Sequence, residues 1–166
     1  MQKQRLLAII KIMTAELDES RNTAWRAFLT THATVIELIE RELAEAGLPP
    51  LSWYDILFAL YEAPNHCLRM HELARAVLLT RSQITRLVDR LEAAGLLYRQ
   101  PCPTDRRGAS AAITAEGLAT RQKMWPVYAQ GISKYFGRHL SDAEVNVVIE
   151  AFRRVQTAAC EAEESD

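Results

Sequence analysis

Apolar residues recur every three or four positions along most of this chain. This spacing indicates amphipathic α-helices, and it covers residues 6–13, 22–46, 51–61, 70–77, 80–94, 115–137 and 143–159. One region departs from it. Between residues 96 and 114 two short runs, LLYRQ and SAAIT, are typical of β-strands, and turn residues (Pro101, Pro103 and Gly108) lie between them. The pattern therefore predicts a mainly α-helical fold with one small β-hairpin.

The predicted helix at 80–94 has clear signals at both ends. Thr80 and Gln83 match a capping box, in which each side chain satisfies a backbone N–H of the first turn. Gly95 stands where the end of a helix favours a left-handed residue. Between these ends, one apolar stripe is formed by Ile84, Leu87, Val88 and Leu91. This stripe is the predicted core-facing side of the helix.

The opposite side of this helix carries groups that can bond to DNA. At about 100° per residue, Ser82, Arg86 and Asp89 lie opposite the stripe, with Gln83 and Arg90 on its flank. Arginine can bond guanine, glutamine adenine, and serine or threonine either base. The N-terminal residues of a recognition helix usually meet the bases. The candidate base contacts are therefore Arg81, Ser82, Gln83, Thr85 and Arg86, with Arg90 as a candidate phosphate contact.

The charge of the surrounding segment favours DNA contact over a merely solvated helix face. Residues 69–107 contain eight arginines and four acidic residues, a net charge of +4 in a chain whose net charge is −1. All basic residues of the segment are arginines, the type best suited to bidentate contacts with phosphates and bases. Because phosphate neutralisation acts at contact range, this local charge matters more than the charge of the whole chain.

The hairpin that follows this helix has a basic tip, predicted at residues 104–107 (TDRR). An arginine beside a recognition helix can enter the neighbouring minor groove, where narrow A·T-rich segments have an enhanced negative potential. We expect Arg107 to take this position, and Asp105 to orient Arg107 or Arg106 through a charge-assisted hydrogen bond. The alternative is a solvated turn whose Asp and Arg residues simply favour loops.

The helix and hairpin together resemble a known family. The sequence D-x-R at 105–107, followed by A-x-I-T at 111–114 and by Gly117, resembles the wing signature of the MarR (multiple antibiotic resistance regulator) family. The preceding TRSQITRLVDRLEAAGLLYR is similar to that family's recognition helix. The resemblance covers about residues 22–158. One departure is Ala111, where the family more often has a larger aliphatic residue.

The resemblance implies a winged helix-turn-helix with N- and C-terminal dimerisation helices. It also implies a homodimer that binds pseudo-palindromic operators in double-stranded DNA, and in many such proteins a small phenolic or other aromatic effector releases the dimer. We therefore expect a single domain over residues 1–166. Its predicted parts are a winged helix-turn-helix lobe at about 51–114, dimerisation helices at about 6–46 and 115–160, and an acidic tail at 161–166.

The helices outside the lobe favour dimerisation on physical grounds as well. Their apolar residues, among them Leu38, Leu43, Trp125 and Tyr135, offer more apolar surface than a winged helix of this size needs to cover. A second copy of the chain would cover this surface, although packing within one chain is the alternative.

Local signals place the other helix boundaries. The expected N-terminal caps are Ser52, Thr114 and the pair Ser141–Glu144. Pro126 lies inside the helix at 115–137 and is expected to kink it, since proline lacks an N–H and clashes with the preceding turn. Residues 68–70 are a candidate short strand that pairs with the wing.

In proteins of the MarR family, effectors sit in the crevice between the dimerisation helices and the DNA-binding lobe. The residues that the resemblance places there are mostly aromatic: Trp25, Phe28, His32, Trp53, Tyr54, Leu57 and Trp125. Small-molecule pockets are mostly apolar with a few placed polar groups, which fits this set. We expect His32 or Arg86 to meet the carboxylate of an anionic effector. The alternative is that these residues are plain core.

Other classes of function have no support in the sequence. No GxGxxG, phosphate-binding loop, HExxH, CxxC or GxSxG occurs, so neither an enzyme nor a cofactor is expected. His66, Cys67 and His71 lack the usual spacing of metal ligands. Three cysteines argue against a secreted disulfide framework. For Cys102, whose arginine neighbours favour a thiolate, a redox role and a plain reduced thiol both stay open. The opening LLAIIKIM is too short to span a bilayer, so a cytoplasmic protein is expected.

The sequence thus predicts a homodimeric, sequence-specific DNA-binding transcriptional regulator, most simply a repressor released by a small aromatic effector. The alternative is a winged-helix interaction module that docks an acidic protein through the same arginine face without binding DNA.

Overall fold

Six α-helices and three β-strands make up the part of the chain that the structure describes. The structure is a computed structural model and describes residues 17–77, 79–102 and 105–163, without the side chains of residues 81, 102–108, 162 and 163. In chain order the elements are α1 (Glu19–Glu45), α2 (Leu51–Glu62), a 3₁₀ turn (Pro64–His66), β1 (Cys67–Arg69), α3 (Met70–Ala76), α4 (Arg81–Ala93), β2 (Leu97–Cys102), β3 (Asp105–Ile113), α5 (Ala115–Tyr135), a second 3₁₀ turn (Gly137–His139) and α6 (Asp142–Glu163). The predicted helix at 6–13 and residues 164–166 of the predicted tail lie outside the described residues.

Two compact units divide the chain between Ile36 and Glu37, within α1. The described residues of the first unit belong mainly to the N-terminal part of α1, and the second unit contains the rest of α1 and all later elements. The organisation as one domain stays a prediction. Within the described ranges, no helix is long and apolar enough to cross a membrane.

The core of the second unit lies between α2, α3, α4 and the sheet. Its fully buried side chains include Ile56, Leu57 and Leu60 of α2, Leu73 of α3, Ile84, Val88 and Leu91 of α4, and Leu97 and Ala111 of the strands. The apolar stripe predicted for α4 is thus confirmed, with Leu87 half-buried at its edge. Because burying one Leu or Ile side chain stabilises a fold by about 1.5–3 kcal/mol, this shared core fixes α4 in the lobe.

Most of the predicted helix ends are confirmed. The capping box at Thr80 begins α4, and the box at Ser141 precedes α6. At the start of α5, Thr114 Oγ1 accepts a hydrogen bond of 3.0 Å from the Gly117 N–H. After α4, Gly95 has a φ of 73°, the left-handed conformation that glycine adopts without strain.

The predicted cap of α2 at Ser52 is wrong. The helix begins one residue earlier, at Leu51, and Pro50 precedes it without a side-chain cap. The Leu51 N–H instead donates to Glu40 Oε1 of α1 at 3.0 Å. A carboxylate from another helix therefore replaces a local hydroxyl, and it ties α2 to the C-terminal part of α1.

The sheet is antiparallel, with the strand order β1–β3–β2. The short strand β1 confirms the predicted pairing of this segment with the wing, since Leu68 pairs with Ala111 of β3. β3 is longer than predicted and begins at Asp105, so the prediction that residues 105–107 lie in a loop tip is wrong. Because Cys102 pairs with Asp105, backbone groups that would bond to water in a longer loop are hydrogen-bonded within the sheet.

Pro101 lies inside β2, opposite Ala109 of β3, and not in a turn as predicted. β2 is an edge strand. An edge position tolerates proline, because its missing N–H can face away from the sheet.

β3 leads into α5 through a tight junction beside the end of α4. The Thr114 N–H donates to the Leu96 carbonyl at 3.1 Å, and Thr114 Oγ1 donates to the Gly95 carbonyl at 2.7 Å. Gly117 lies so close to this point that a Cβ there would stand 2.0 Å from the Leu96 carbonyl oxygen. Position 117 therefore requires glycine.

α5 also contacts the part of α1 that belongs to the second unit. Glu42 accepts hydrogen bonds from Lys134 Nζ at 2.8 Å and from the Tyr135 hydroxyl at 2.6 Å. The bond from Lys134 is the largest cause of a lowered pKa at Glu42. Pro126 lies inside α5, as the sequence indicates, and a kink at this residue stays a prediction.

Replacing Gly117 by alanine is expected to lower the free energy of unfolding by about 3 kcal/mol, because the added methyl group overlaps a backbone carbonyl that cannot move aside. The better helix propensity of alanine, about 1 kcal/mol at most, is too small to compensate. Urea unfolding followed by circular dichroism measures the change. Gly137→Ala is the matched control, since a Cβ there meets only an ordinary contact at 3.7 Å. Equal stability of the two variants would contradict the tight junction.

Candidate nucleic-acid interface

α4 presents a continuous exposed face on the side away from the core. Its members are Ser82, Gln83, Thr85, Arg86, Asp89 and Arg90. Five of these residues, all except Asp89, are residues predicted to contact bases or phosphates. Arg81 is the first residue of α4, and its side chain lies outside the description.

Gln83 has a structural role on this face. Its Oε1 accepts hydrogen bonds from the Thr80 N–H at 3.0 Å and from Thr80 Oγ1 at 2.8 Å. Bidentate reading of adenine needs the amide oxygen and nitrogen together. Gln83 would therefore have to leave the cap in order to read a base in this way.

Arg86 has no structural role of this kind. It is exposed, and within the described residues it makes no hydrogen bond or ion pair. Its position in the second turn of α4 keeps it near the N-terminal end, where recognition helices meet bases. Arg86 is the side chain of this face best prepared for a contact outside the protein.

Arg99 on β2 binds to α4 along two helical turns. Its backbone N–H donates to Glu92 Oε1 at 2.9 Å, and its guanidinium pairs with the Glu92 carboxylate and, at 2.6 Å, with Asp89. A weaker contact of 3.5 Å reaches the backbone carbonyl of Thr85. Thr85, Asp89 and Glu92 lie along one side of α4, at spacings of four and then three residues.

These contacts make Arg99 a bridge between the helix and the wing. The backbone bond from Arg99 is the largest cause of a lowered pKa at Glu92, and the guanidinium lowers it further. Arg99 counts among the arginines of the basic segment, but its charge, like that of Asp89, is compensated inside the protein. This pairing was not predictable from the sequence, because Asp89 and Arg99 lie on different elements that only the folded chain brings together.

The wing extends from this bridge. The inner end of β3 is anchored in the middle of the sheet, where Ser110, Ala111 and Ala112 are buried. The side chains of residues 102–108 lie outside the description. The roles predicted for Asp105, Arg106 and Arg107, and the redox role considered for Cys102, therefore stay predictions.

A cavity of about 450 Å³ lies between α2 and α5. Its lining consists of Tyr54, Asp55, Phe58, Arg121, Trp125, Tyr128 and Ile132. The ring of Tyr54 contacts its neighbours, with its centroid 5.0 Å from that of Tyr128 and 6.2 Å from that of Trp125. Burial raises the pKa of both tyrosine hydroxyls, so both remain neutral donors and acceptors near neutral pH.

Two of the predicted effector-pocket residues, Tyr54 and Trp125, line this cavity. Leu57 is fully buried in the core, and Trp53 packs against that core. The other three, Trp25, Phe28 and His32, belong to the first unit, where consecutive rings lie 5.8 and 6.2 Å apart.

The other lining residues were not predicted from the sequence: Asp55, Phe58, Arg121, Tyr128 and Ile132. A signal was present, since Tyr54 with Phe58, and Arg121 with Trp125, stand four residues apart and so share a helix face. Only the fold places these two faces opposite each other.

His66 and Cys67 have partners within the protein. His66 Nδ1 lies 2.8 Å from the Tyr61 carbonyl oxygen, and the Gln100 amide donates to Cys67 Sγ at 3.1 Å. In the ranges that the structure covers, no three His, Cys, Asp or Glu side chains form a cluster suited to a metal ion.

Comparison with known proteins gives consistent matches. A family model described as the MarR family matches residues 46–108. The chain is similar to the HTH-type transcriptional regulator MhqR of Bacillus subtilis, with 30% identity over 124 residues that cover 75% of this chain and 83% of that protein. It is also similar to the HTH-type transcriptional regulator PrsX of Escherichia coli, with 31% identity over 86 residues. That match spans about half of each protein, 52% in both cases.

Two solved structures share the fold over most of its length. AbsC, a MarR family transcriptional regulator from Streptomyces coelicolor, has a TM-score of 0.80 and 28% identity, covering 89% of this chain and 99% of that chain. A second MarR family regulator from the same organism, solved in complex with DNA, has a TM-score of 0.79 and 28% identity, covering 86% of this chain and 89% of that chain. The predicted mainly α fold with a small β wing is thereby confirmed.

Replacing Arg99 by methionine is expected to weaken binding to specific duplex DNA about tenfold, because α4 and the wing lose their fixed relative orientation. The slope of log affinity against log salt should fall by clearly less than the 0.9 or so of one phosphate contact, since Arg99 is paired with Asp89 and Glu92 within the protein and meets no phosphate. Fluorescence anisotropy at several salt concentrations measures both quantities. Arg90→Met is the matched control and should reduce the slope by about 0.9, the value for one phosphate contact. The same loss of slope in both variants would show that Arg99 touches DNA.

Proposed function

Because this chain belongs to the MarR family of winged helix-turn-helix transcriptional regulators, we propose that it is a homodimeric repressor that binds a pseudo-palindromic operator and leaves it when a small aromatic effector binds. The chain is a DNA-binding regulator and not an enzyme. The observation that carries the proposal is the exposed face of α4. Arg86 on this face is available for a contact with DNA, and the opposite side of the same helix packs in the core.

In the proposed complex, α4 lies in the major groove. Ser82, Thr85 and Arg86 face the bases from its N-terminal half, with Arg81 and Gln83 beside them once Gln83 leaves its cap. Arg90, one turn later, meets a phosphate. The wing reaches the adjacent minor groove with Arg107, near the start of β3, oriented by Asp105, and Arg106 adds a phosphate contact.

The need for a second protomer is clearest at α6. This helix has 22 residues, and none of its described side chains is buried. Large apolar residues are exposed on it: Val147, Ile149, Phe152 and Val155. In the first unit, Trp25, Phe28 and Leu29 are exposed as well. Since a helix in a protein derives most of its stability from packing an apolar face, these residues support burial against a second copy.

A twofold dimer gives repression a geometric basis. Its two α4 helices would stand about 34–36 Å apart, one turn of DNA, and so match the two halves of a pseudo-palindrome. Repression follows if the bound dimer excludes the transcription machinery from its operator. We expect the protein to act in the cytoplasm. A ligand releases the dimer only if it prefers a conformation in which this spacing no longer fits.

The cavity between α2 and α5 is the proposed effector site. It is lined by aromatic rings with two charged side chains, the composition expected of a small-molecule pocket. It also borders both the DNA-binding lobe, through α2, and a proposed dimerisation helix, α5. Trp25, Phe28, His32 and Trp53 stay candidates for contributing to the site in the dimer.

The alternative function, docking of an acidic protein on the arginine face, is favoured by no separate observation, and a salt titration separates the two. Operator binding predicts that log affinity for duplex DNA falls steeply with log salt, by about 0.9 per phosphate contacted. It also predicts a large preference for the operator over random duplex. Weak binding without sequence preference would favour the interaction module.

Replacing Arg107 by alanine is expected to cost about 1–3 kcal/mol of operator affinity, because the minor-groove contact is lost while the dimer stays intact. Electrophoretic mobility shift with the operator, together with sedimentation, measures the two properties. Arg138→Ala, which removes an exposed arginine from the turn after α5, is the matched control and should bind as the wild type does. Unchanged affinity in Arg107→Ala would reject the role of the wing.

Replacing Val155 by aspartate is expected to raise the dimer dissociation constant at least about tenfold, because burying an unpaired carboxylate in an apolar interface costs several kcal/mol. Sedimentation equilibrium measures it. Asn146→Asp places the same carboxylate on the opposite side of α6, nine residues away at about 100° each, and should leave the dimer intact. A monomeric wild type, or equal dissociation constants for the two variants, would refute dimerisation through α6.

A further inference from the structure

A second concave site, a groove of about 550 Å³, lies within the DNA-binding lobe between α2, β1 and α3. It adjoins the cavity between α2 and α5, with which it shares Asp55 and Phe58, but its other walls are different. The lining residues are Asp55, Phe58, Ala59 and Glu62 of α2, Ala63 after it, Leu68 of β1, Ala76 of α3, and Val77.

The α2 side of the groove has a carboxylate near each end. Asp55, Phe58, Ala59 and Glu62 stand at spacings of three, one and three residues, so they share one face of the helix. Asp55 and Glu62 are seven residues apart, which at about 1.5 Å of rise per residue separates them by roughly 10 Å along the axis. Phe58 and Ala59 lie between them. Two negative charges thus flank an apolar stretch.

Neither carboxylate is compensated within the part of the chain that the structure describes. There, Asp55 and Glu62 make no ion pair, and their side chains make no hydrogen bond. None of the eight lining residues is basic. A nearby cation would lower the pKa of Asp55, but desolvation, followed by the charge of Glu40, raises it. The groove therefore has negative charge without a partner.

The shape of the groove excludes a single metal ion as the missing partner. A bound calcium ion needs several oxygen ligands at about 2.3–2.6 Å, and carboxylates two helical turns apart cannot share one. Between them the surface is formed by Phe58, Leu68 and Val77, whose side chains offer water no hydrogen bond. Phe58 is 42% exposed. An occupant that matches this surface is elongated and apolar in the middle, with a positive charge at each end.

We propose that the groove binds an elongated organic dication, such as an aliphatic diamine, whose ammonium ends pair with Asp55 and Glu62 and whose methylene chain covers Phe58, Leu68 and Val77. This site goes beyond the proposed function, because it takes a ligand of different charge and shape at a different place. It depends neither on the operator nor on the aromatic effector.

The proposed ligand would connect the elements that support α4. It contacts α2, β1 and α3 together, and α3 packs against α4 through Leu73 and Ala74 in the shared core. A ligand that binds the folded state and not the unfolded chain stabilises the folded state. Occupancy is therefore expected to raise the temperature at which the lobe unfolds.

Isothermal titration of the full-length protein with 1,8-diaminooctane tests the assignment, and octylamine and 1,8-octanediol are the probes with one charge and with none. The diamine is expected to bind about fivefold more tightly than octylamine, the upper range for an exposed ion pair. 1,8-Octanediol should bind more weakly than either amine. 1,4-Diaminobutane is too short to reach both carboxylates and should also bind about fivefold more weakly than 1,8-diaminooctane.

Two kinds of variant locate the ligand. Asp55→Asn and Glu62→Gln each remove one charged end and should each lower the affinity for 1,8-diaminooctane to about that of octylamine. Ala76→Phe fills the groove from the exposed end of α3 and should abolish binding. Glu45→Gln is the matched control: this exposed carboxylate at the end of α1 is not in the lining, and its loss should not change the affinity.

Several results would overturn the proposal. They are an absence of diamine binding to the wild type, equal affinities for 1,8-diaminooctane and octylamine, or unchanged diamine binding in Glu62→Gln. Undiminished binding in Ala76→Phe together with a loss in Asp55→Asn would place the ligand in the cavity between α2 and α5. If Ala76→Phe unfolds, Glu62→Gln makes the same distinction, since Glu62 lines the groove and not that cavity.

Discussion

The close approach of α5 to the end of α4 is the constraint on which the rest of the structure depends. At this point the left-handed Gly95 ends α4, and its carbonyl accepts a hydrogen bond from Thr114 Oγ1. Thr114 uses the same oxygen to accept from the Gly117 N–H and so begins α5. One hydroxyl thus closes the C-terminal end of one helix and opens the next.

This junction also fixes the wing, because β2 begins and β3 ends there. Leu97 and Ile113 form the last residue pair between β2 and β3. Leu96 and Leu97 are buried in the core. Arg99, two residues into β2, ties this base of the hairpin to α4, since it pairs with two carboxylates of that helix.

The distribution of charge follows from the same geometry. The arginine-rich segment has four acidic residues, and two of them, Asp89 and Glu92, are engaged by Arg99. A third, Glu72, accepts from the Arg69 N–H at the start of α3. The carboxylates that would repel phosphates are thus largely occupied, while Arg86 and Arg90 remain on the exposed face. A near-neutral chain can in this way present a basic surface.

The sequence predicted those features that depend on neighbours along the chain. The caps at Thr80, Thr114 and Ser141, the turn at Gly95 and the buried stripe of α4 are set by spacings of three or four residues, and all are found. Features that depend on a second element were missed. Glu40 caps α2 from a different helix, and Arg99 meets Asp89 only after β2 folds back along α4.

The wing and the cavity failed prediction for related reasons. Turn-forming residue types predict a tip over residues 104–107, yet strand pairing extends to Asp105, because hydrogen bonds across the hairpin outweigh local turn preference. Residue type alone predicts Tyr54 and Trp125 as pocket residues, but it gives no reason to include Arg121. Its Nε is buried without an acceptor among the described residues, and only the folded chain can show this.

These contacts also limit how a ligand could act in the proposed mechanism. α4 is held by a shared core and by the Arg99 bridge, so a change of shape within the lobe would break many contacts at once. A movement of the whole lobe against α5 would leave those contacts in place and would disturb the contacts of α5 with the lobe, at Gly117, Leu118, Arg121, Trp125 and Tyr128. A ligand shifts an equilibrium only by its difference in affinity for the two states, and the coupling is reciprocal. In the proposed dimer, such a movement would alter the spacing of the two recognition helices without altering either of them.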